Sequence, residues 1–378
     1  METHPHIKNK MNVLITGSKG FIGKNLLQKL TENSSYCVSC FDRGDSFDLL
    51  EKFVVNADII IHLAGENRPK NIADLVVGNS DFTKKLCSII KKSSRKPFVI
   101  FTSSIQAKLN NPYAISKRDS EEALENLSAT TGAPVMIYRL PGVFGKWCKP
   151  NYNSVVATFC HNIANNLSIE INDPLKILKL VYIDDVVDSI VSNMSSLSDG
   201  LHWSNVHPEY KISIGDLSSQ IKAFKNFRTN LIAEKVGTGI VRALYSTYMS
   251  YLPPSKFIYD LHKHSDERGF FVELLKTPDC GQFSFFTANP GVKRGGHYHH
   301  SKTEKFCVME GKAKFKFRNI LTGENHEFIV SGGKPQVVET IPGWAHSIKN
   351  IGNNQLTVML WANEIFDLNQ PDTISCEV

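Results

Sequence analysis

The chain lacks the run of about 18 apolar residues that a membrane helix needs, so no transmembrane span is expected anywhere in its 378 residues. No secretory leader is expected either: Met1 to Lys10 is polar with no apolar centre, and Met11 opens the first apolar run. Charge of one sign is missing too. Lys and Arg number 43 against 37 Asp and Glu, and the net +6 is spread along the chain with no long basic run. No nucleic-acid partner is expected from such a pattern. The eight cysteines, at 37, 40, 87, 148, 160, 280, 307 and 376, form no disulfide framework, and reduced thiols in the cytoplasm are expected. Cys37 and Cys40 make a C-x-x-C, but inside an apparent strand and without a second pair, so neither zinc nor redox chemistry is expected there. Internal repeats and low-complexity segments are absent. A chain 42% hydrophobic and 21% charged is not disordered.

What is present falls into two regions. Short apolar runs (Val13-Leu14-Ile15, then residues 37–41, 59–63, 98–101 and 135–138) alternate with helix-periodic stretches at 21–30, 72–90 and 116–127. That alternation predicts a doubly wound parallel α/β sheet of Rossmann type, covered by helices on both faces. Residues 142–252 read as irregular and helix-rich. Pro253-Pro254-Ser255 then punctuates the chain. Beyond it, strand-like runs at 270–275, 282–287, 305–309, 312–318, 326–330 and 357–361 are separated by Gly, Pro or Asn. They predict a small all-β barrel or sandwich. The expected domains are residues 11–252 and 255–378.

Gly17, Gly20 and Gly23 follow the first strand as G-x-x-G-x-x-G and open a helix. The first glycine permits a tight turn, the second a close approach to a pyrophosphate, and the third close packing of helix on strand. The first N–H groups of the helix, at Phe21, Ile22 and Gly23, would face the phosphates. The second strand ends at Asp42-Arg43, an acid suited to ribose hydroxyls beside an arginine suited to a 2′-phosphate. With Lys19 in the loop, the balance favours NADP(H). Leu63, Ala64 and Gly65, at the end of the third strand, leave room for a cofactor.

After the fourth strand come Ser103-Ser104 and then Tyr113-Ala114-Ile115-Ser116-Lys117. Y-x-x-x-K puts both side chains on one helix face. The ammonium can lower the phenol pKa and hold the nicotinamide ribose. The phenol then moves the proton that accompanies hydride transfer, and a serine bonds the same carbonyl oxygen.

In their order, these residues resemble the extended short-chain dehydrogenase/reductase family, over about residues 11–252. The resemblance implies an oxidoreductase of nucleotide sugars with Ser104, Tyr113 and Lys117 as its catalytic set, Ser104 being preferred over the adjoining Ser103. Residues 138–145, containing Arg139, resemble the family's segment near nicotinamide and substrate. Residues 181–186 resemble its later structural signature, and Asp184 and Asp185 there are read as helix-dipole partners rather than metal ligands.

The second region carries Gly291-x5-His297-x-His299-x4-Glu304-x6-Gly311. H-x-H on a strand points both imidazoles to one side. With Glu304 and His346, they make three histidines and a carboxylate, suited to zinc, iron, manganese or nickel. The pattern resembles the cupins and matches their first motif in full. The second motif keeps Gly343, His346 and Asn350, with Ile341 where a proline is usual. Segments 266–273 and 291–298 resemble the deoxysugar-nucleotide epimerases of the cupin class, which implies that Arg268 and Arg294 hold a diphosphate. A metal-bound His297 would be a poor proton acceptor, so the epimerase base is left open.

The whole chain beyond residue 10 resembles the bifunctional nucleotide-sugar epimerase–reductases of capsule synthesis, most distinctively at 144–153, where Asn153 is expected at the substrate, and at 245–253. The resemblance implies a UDP-2-acetamido-2,6-dideoxy-4-hexulose substrate, C3 epimerisation at a Zn2+ site, C4 reduction with NADPH, and a homodimer. The alternative is a reductase whose barrel only binds metal or dimerises.

Overall fold

The computed structural model describes residues 10–378, apart from 70, 94, 196–198, 267–268, 273–274, 276–280 and 365–368. Six strands form where the branched and aromatic runs lie: β1 (Met11–Thr16), β2 (Tyr36–Phe41), β3 (Ile59–His62), β4 (Phe98–Ser104), β5 (Val135–Leu140) and β6 (Leu201–Ser204). They pair in parallel in the order β2-β1-β3-β4-β5-β6. β3 is buried at every position, as apolar runs must be when helices cover both faces. The helices are α1 (Phe21–Thr31), α2 (Phe47–Asn56), α3 (Phe82–Lys92) and α4 (Pro112–Thr131). Leu14, Leu50, Ile60, Leu86, Val99, Leu124 and Ile137 meet in the core of this layered body. The strand order reverses beside β1, and in open α/β sheets the crevice at that reversal, beyond the carboxyl ends of the strands, takes the ligand.

One helix was expected over 72–90. The chain forms instead a short turn (Ala73–Leu75), a π-helical turn (Val76–Asp81) and then α3. The wide turn holds Asn79, whose side chain bonds outside the helix. α2 and β6 were not legible as elements in the sequence.

By packing, the chain divides into two compact units. One runs up to Val143 and includes Lys179–Lys211; the other comprises Phe144–Leu178 and Ile212–Val378. The second unit carries the helices Val155–Ala164, Ile214–Asn230 and Gly239–Met249 together with the barrel. Pro254 opens a 3-10 turn, Pro254–Lys256. The barrel is two five-stranded antiparallel sheets. One contains Gln282–Ala288, Glu304–Glu310 and Leu356–Ala362; the other contains Lys293–Tyr298, Lys312–Asn319 and Trp344–Asn350. Their apolar faces meet at Phe306 and Phe315, with ring centroids 5.7 Å apart. On its other side, the strand of Glu304 turns Lys305 toward the helix Ile214–Asn230. There Lys305 and Arg228 both pair with the buried Glu339, and the Lys305 ammonium lies 4.1 Å from the Phe227 ring centroid. Among the described residues, the cysteines are free and no helix is long and apolar enough to cross a membrane.

Candidate active site and metal centre

The glycine turn sits where β1 and β3 end side by side. Gly17 has φ +79°, and a Cβ there would lie 2.7 Å from the Ala64 nitrogen. A Cβ on Gly23 would lie 2.2 Å from the Gly17 oxygen, so only glycine lets α1 begin this close to the turn. No side chain caps α1 at Gly20. The amides of its first turn and its dipole are therefore available to an anion. Asp42 is largely enclosed beneath the loop. It accepts the Ser18 hydroxyl at 2.5 Å and the Lys19 amide at 3.0 Å, and so braces the turn. Arg43 reaches outward, its side chain 86% exposed, and pairs with Glu66 at 2.7 Å. Lys19 is exposed.

Residues 63–66 are held from below by groups that no motif announced. Thr83 Oγ1 donates to the Asn79 carbonyl at 2.8 Å, so it accepts from His62 Nε2 at 2.9 Å. His62 Nδ1 then accepts from Thr16 Oγ1 at 2.7 Å, and Thr16 Oγ1 accepts the Ala64 amide at 3.4 Å. Burial, reinforced by the Lys117 charge, pushes the His62 pKa down to about 3. Asn79 grips Glu66 by both ends: its Oδ1 accepts the Glu66 amide at 2.8 Å, and its Nδ2 donates to the Glu66 carbonyl at 3.1 Å and to Ser116 Oγ at 2.9 Å. No sequence pattern signalled this network, because most of its partners lie 13 to 48 residues apart.

The two serines of β4 separate by strand alternation. Ser103 Oγ donates to Glu121 at 2.5 Å. Ser104 Oγ accepts the Gln106 amide at 3.1 Å, and it lies near enough to Tyr113 to counter the burial that raises the phenol's pKa. α4 opens with Asn111 accepting the Ala114 amide at 2.9 Å and with Pro112 in the first turn. Tyr113 thus stands at the helix start, with Lys117 one turn on. The Lys117 ammonium donates to the Thr102 carbonyl at 3.0 Å and lies 4.8 Å from the Phe101 ring centroid. Burial pulls its pKa down to about 8, against the pull of Glu121. A Cβ on Gly65 would lie 3.5 Å from this nitrogen, so Lys117 faces the loop at the end of β3.

Arg139, expected near the substrate, has its guanidinium on Glu121, at 3.0 Å through Nε and 2.6 Å through its terminal nitrogen, and stacks on Trp203. The buried carboxylate needs a cation, and Arg139 is the one supplied. Asn153 is exposed just ahead of the Ser154 cap of its helix. Arg294 is exposed, donates to the Thr287 carbonyl at 2.6 Å and lies over Phe286. Arg268 lies outside the described residues.

In the barrel, one donor atom each from His297, His299, Glu304 and His346 lie within 4.8 Å of one another, and all but His297 are buried. His297 ends the bulged part of its strand and pairs in register with His346. His299 Nδ1 meets the Asp372 carbonyl at 2.5 Å. A carbonyl only accepts, so Nδ1 carries the proton, and Nε2 turns its lone pair to Glu304 Oε2 at 3.1 Å. His346 Nε2 faces the same oxygen at 3.3 Å, and among the described residues its Nδ1 has no hydrogen-bond partner. Imidazole nitrogens and a carboxylate oxygen converging in a buried site suit a cation held between them. Metal–ligand bonds of about 2.0–2.2 Å put tetrahedral neighbours roughly 3.4 Å apart, close to these spacings. The residues fit a divalent metal. Burial and the neighbouring imidazoles push the His297 pKa down to about 4, which keeps it in the neutral, ligating form. The motif glycines Gly291, Gly311 and Gly343 all have φ near +80° to +90°, the left-handed turns between barrel strands that a side chain disfavours.

A doubly wound sheet with a phosphate-type glycine turn, joined to a β-barrel whose clustered histidines and glutamate could hold a metal, defines a dinucleotide-dependent enzyme with a cupin attached. Comparison with known proteins gives the particular family. Residues 13–206 match the NAD dependent epimerase/dehydratase family, and residues 264–374 match the polysaccharide biosynthesis C-terminal domain. The chain is 51% identical over 368 residues to UDP-2-acetamido-2,6-beta-L-arabino-hexul-4-ose reductase of Pseudomonas aeruginosa, covering 97% of this chain and 99% of that one. It is 40% identical to the capsular polysaccharide assembling protein CapF of Staphylococcus aureus, whose crystal structure matches with a TM-score of 0.66 over 97% of this chain and 100% of that one. WbmF of Bordetella bronchiseptica, solved with NADH, is 18% identical with a TM-score of 0.52 over 58% of this chain and 78% of its own, and shows the fold alone. The chain belongs to the NAD dependent epimerase/dehydratase family and carries the polysaccharide biosynthesis C-terminal domain.

Proposed function

We propose that the chain epimerises C3 of a UDP-2-acetamido-2,6-dideoxy-4-hexulose in its barrel and then reduces the C4 ketone with NADPH. The product is UDP-2-acetamido-2,6-dideoxy-L-talose, on the path to UDP-N-acetyl-L-fucosamine for surface polysaccharide. The observation that carries this reading is the presence, in one chain, of a Ser104–Tyr113 pair beside a buried lysine and a metal-fitting cluster of three histidines and a glutamate. Near-full-length similarity to a hexulose reductase supports the substrate class. Reductase chemistry is assigned to residues 11–252 and epimerase chemistry to 255–378, working as a homodimer. NADPH and sugar nucleotides are soluble metabolites, so the reaction is assigned to the cytoplasm.

In the reductase, the glycine turn and the α1 amides take the pyrophosphate, and Arg43, with Lys19, takes the 2′-phosphate. NADPH supplies the hydride. Tyr113 gives its phenolic proton to the C4 oxygen, Ser104 bonds that oxygen, and the Lys117 charge favours loss of the proton. In the barrel, the C4 ketone acidifies the C3 proton. His297, His299, Glu304 and His346 would hold a Zn2+ ion, which would supply a Lewis acid for the ketone or enolate oxygen. His297 is then a ligand rather than a base, and another group removes the proton. Epimerisation must come first, because reduction abolishes that acidity.

The test is an NMR spectrum of the UDP-4-keto sugar in D2O with enzyme and without NADPH. Deuterium entering at C3 is the expected result. Oxidation of NADPH on its later addition, with no prior exchange, would leave a plain reductase with a structural barrel.

A further inference from the structure

His299 and Glu304 are separated by four residues, 300–303. Whatever fixes that loop also fixes the spacing of two of the four clustered donors. One side chain from a distant part of the sequence takes three of its four main-chain N–H groups and a hydroxyl. Asp372 Oδ1 accepts the His300 amide at 2.8 Å. Its Oδ2 accepts the Ser301 amide at 2.7 Å, the Ser301 hydroxyl at 3.0 Å and the Lys302 amide at 2.7 Å. The Asp372 carbonyl accepts from His299 Nδ1 at 2.5 Å. The next residue, Thr373, accepts from the Lys302 ammonium at 2.9 Å. Ile374 and Ser375 then pair with Tyr298 and His297 as an added antiparallel strand. From the other side, the helix Gly239–Met249 holds the same loop: the Ser246 hydroxyl donates to the Ser301 carbonyl, and Arg242 donates to the Ser301 hydroxyl at short range.

We propose that Asp372 is a positioning residue of the metal centre, its carboxylate clasping the 300–302 amides and its carbonyl fixing which nitrogen of His299 faces the metal. This rests on the metal reading above. Convergence of three main-chain N–H groups and a hydroxyl on one carboxylate leaves no role for a neutral amide, which offers a single acceptor oxygen and turns two donors of its own toward the loop. Without the carboxylate, the loop amides lose their acceptor and relax toward water, and the spacing of His299 and Glu304 is no longer preset. Partners of this kind typically change metal affinity by about 10–100-fold.

The experiment measures Zn2+ affinity of the full-length protein by chelator competition, for wild type, Asp372→Asn, Asp372→Ala and His299→Ala, with NADPH binding followed in parallel. The two Asp372 variants are expected to bind Zn2+ about 10–100-fold more weakly and to shift the visible bands of the Co2+-loaded protein, with NADPH affinity unchanged. Asp372→Asn with wild-type Zn2+ affinity and unshifted Co2+ bands would overturn the clasp alone. Wild type that takes up no Zn2+, or His299→Ala that takes it up as well as wild type, would overturn the metal reading and the clasp together. A second measurement needs no variant: amides 300–302 of the metal-free wild type should be protected from hydrogen exchange, and rapid exchange there would also overturn the clasp.

Discussion

His62 makes acid stability a direct test of the network beneath the cofactor loop. The imidazole is fully buried and bonded to Thr16 and Thr83. Burial, helped by the Lys117 charge, lowers its pKa to about 3, against about 6.5 in an unfolded chain. Below pH 6.5 the unfolded state therefore takes up a proton that the folded state refuses, and stability falls as the pH drops. Between pH 7.5 and 5.0 this one group should cost about 2 kcal/mol, roughly a thirtyfold rise in the opening equilibrium. That figure is insensitive to the folded pKa, which lies well below the window. The assay is native-state hydrogen exchange of the β3 amides in the full chain, corrected for intrinsic rates, comparing wild type with His62→Gln. The variant should start less protected and lose about 2 kcal/mol less on acidification. If protection in both proteins fell in parallel with pH, His62 would not be buried neutral between its two threonines, and the account of residues 63–66 would go with it.

Two further outcomes follow from the site. Ser104→Ala should lower kcat for NADPH oxidation by about 10²-fold, as loss of one donor to a developing oxyanion does. Ser103→Ala should spare kcat and cost about 1.5–3 kcal/mol of stability through the bond lost to buried Glu121; equal kinetic defects in urea-stable variants would refute the division. Arg43→Ala should raise KM for NADPH about 10–100-fold and leave KM for NADH unchanged, since only the 2′-phosphate contact is lost. An unaltered preference between the cofactors in steady-state assays would show that Arg43 does not read the phosphate.

The parallel sheet was legible because burial on both faces writes itself as continuous apolar runs, and β1 to β5 form where those runs lie. The barrel strands Glu304–Glu310 and Lys312–Asn319 were legible as short strand-like runs bounded by turn residues such as Gly311. The strands Gln336–Glu339 and Trp344–Asn350 were not, because their positions are buried almost throughout and mix polar with apolar residues. Gly17, Gly23 and the clustered H-x-H pair were legible because tight turns, and the donor set a metal would need, restrict residue type. Asp42 was assigned to a ribose, yet both its oxygens brace the glycine turn. An acid at a strand end carries no mark of which way its lone pairs are used. Asn79 and Asp372 were missed for a related reason. Each acts on main-chain groups far away in sequence, and a main-chain partner leaves no side-chain pattern to read.

The division into two units has a consequence for how such an enzyme can be recombined. The chain passes between them three times, after Val143, Leu178 and Lys211. No single crossover, and no single proteolytic cut, returns both units whole. A foreign barrel spliced in at the proline pair would keep the helix Ile214–Asn230 but would have to offer its own carboxylate to Arg228 and its own loop to Ser246. Exchange of parts among relatives of this architecture is therefore constrained to coordinated changes in several segments, and a barrel once joined to this reductase travels with it.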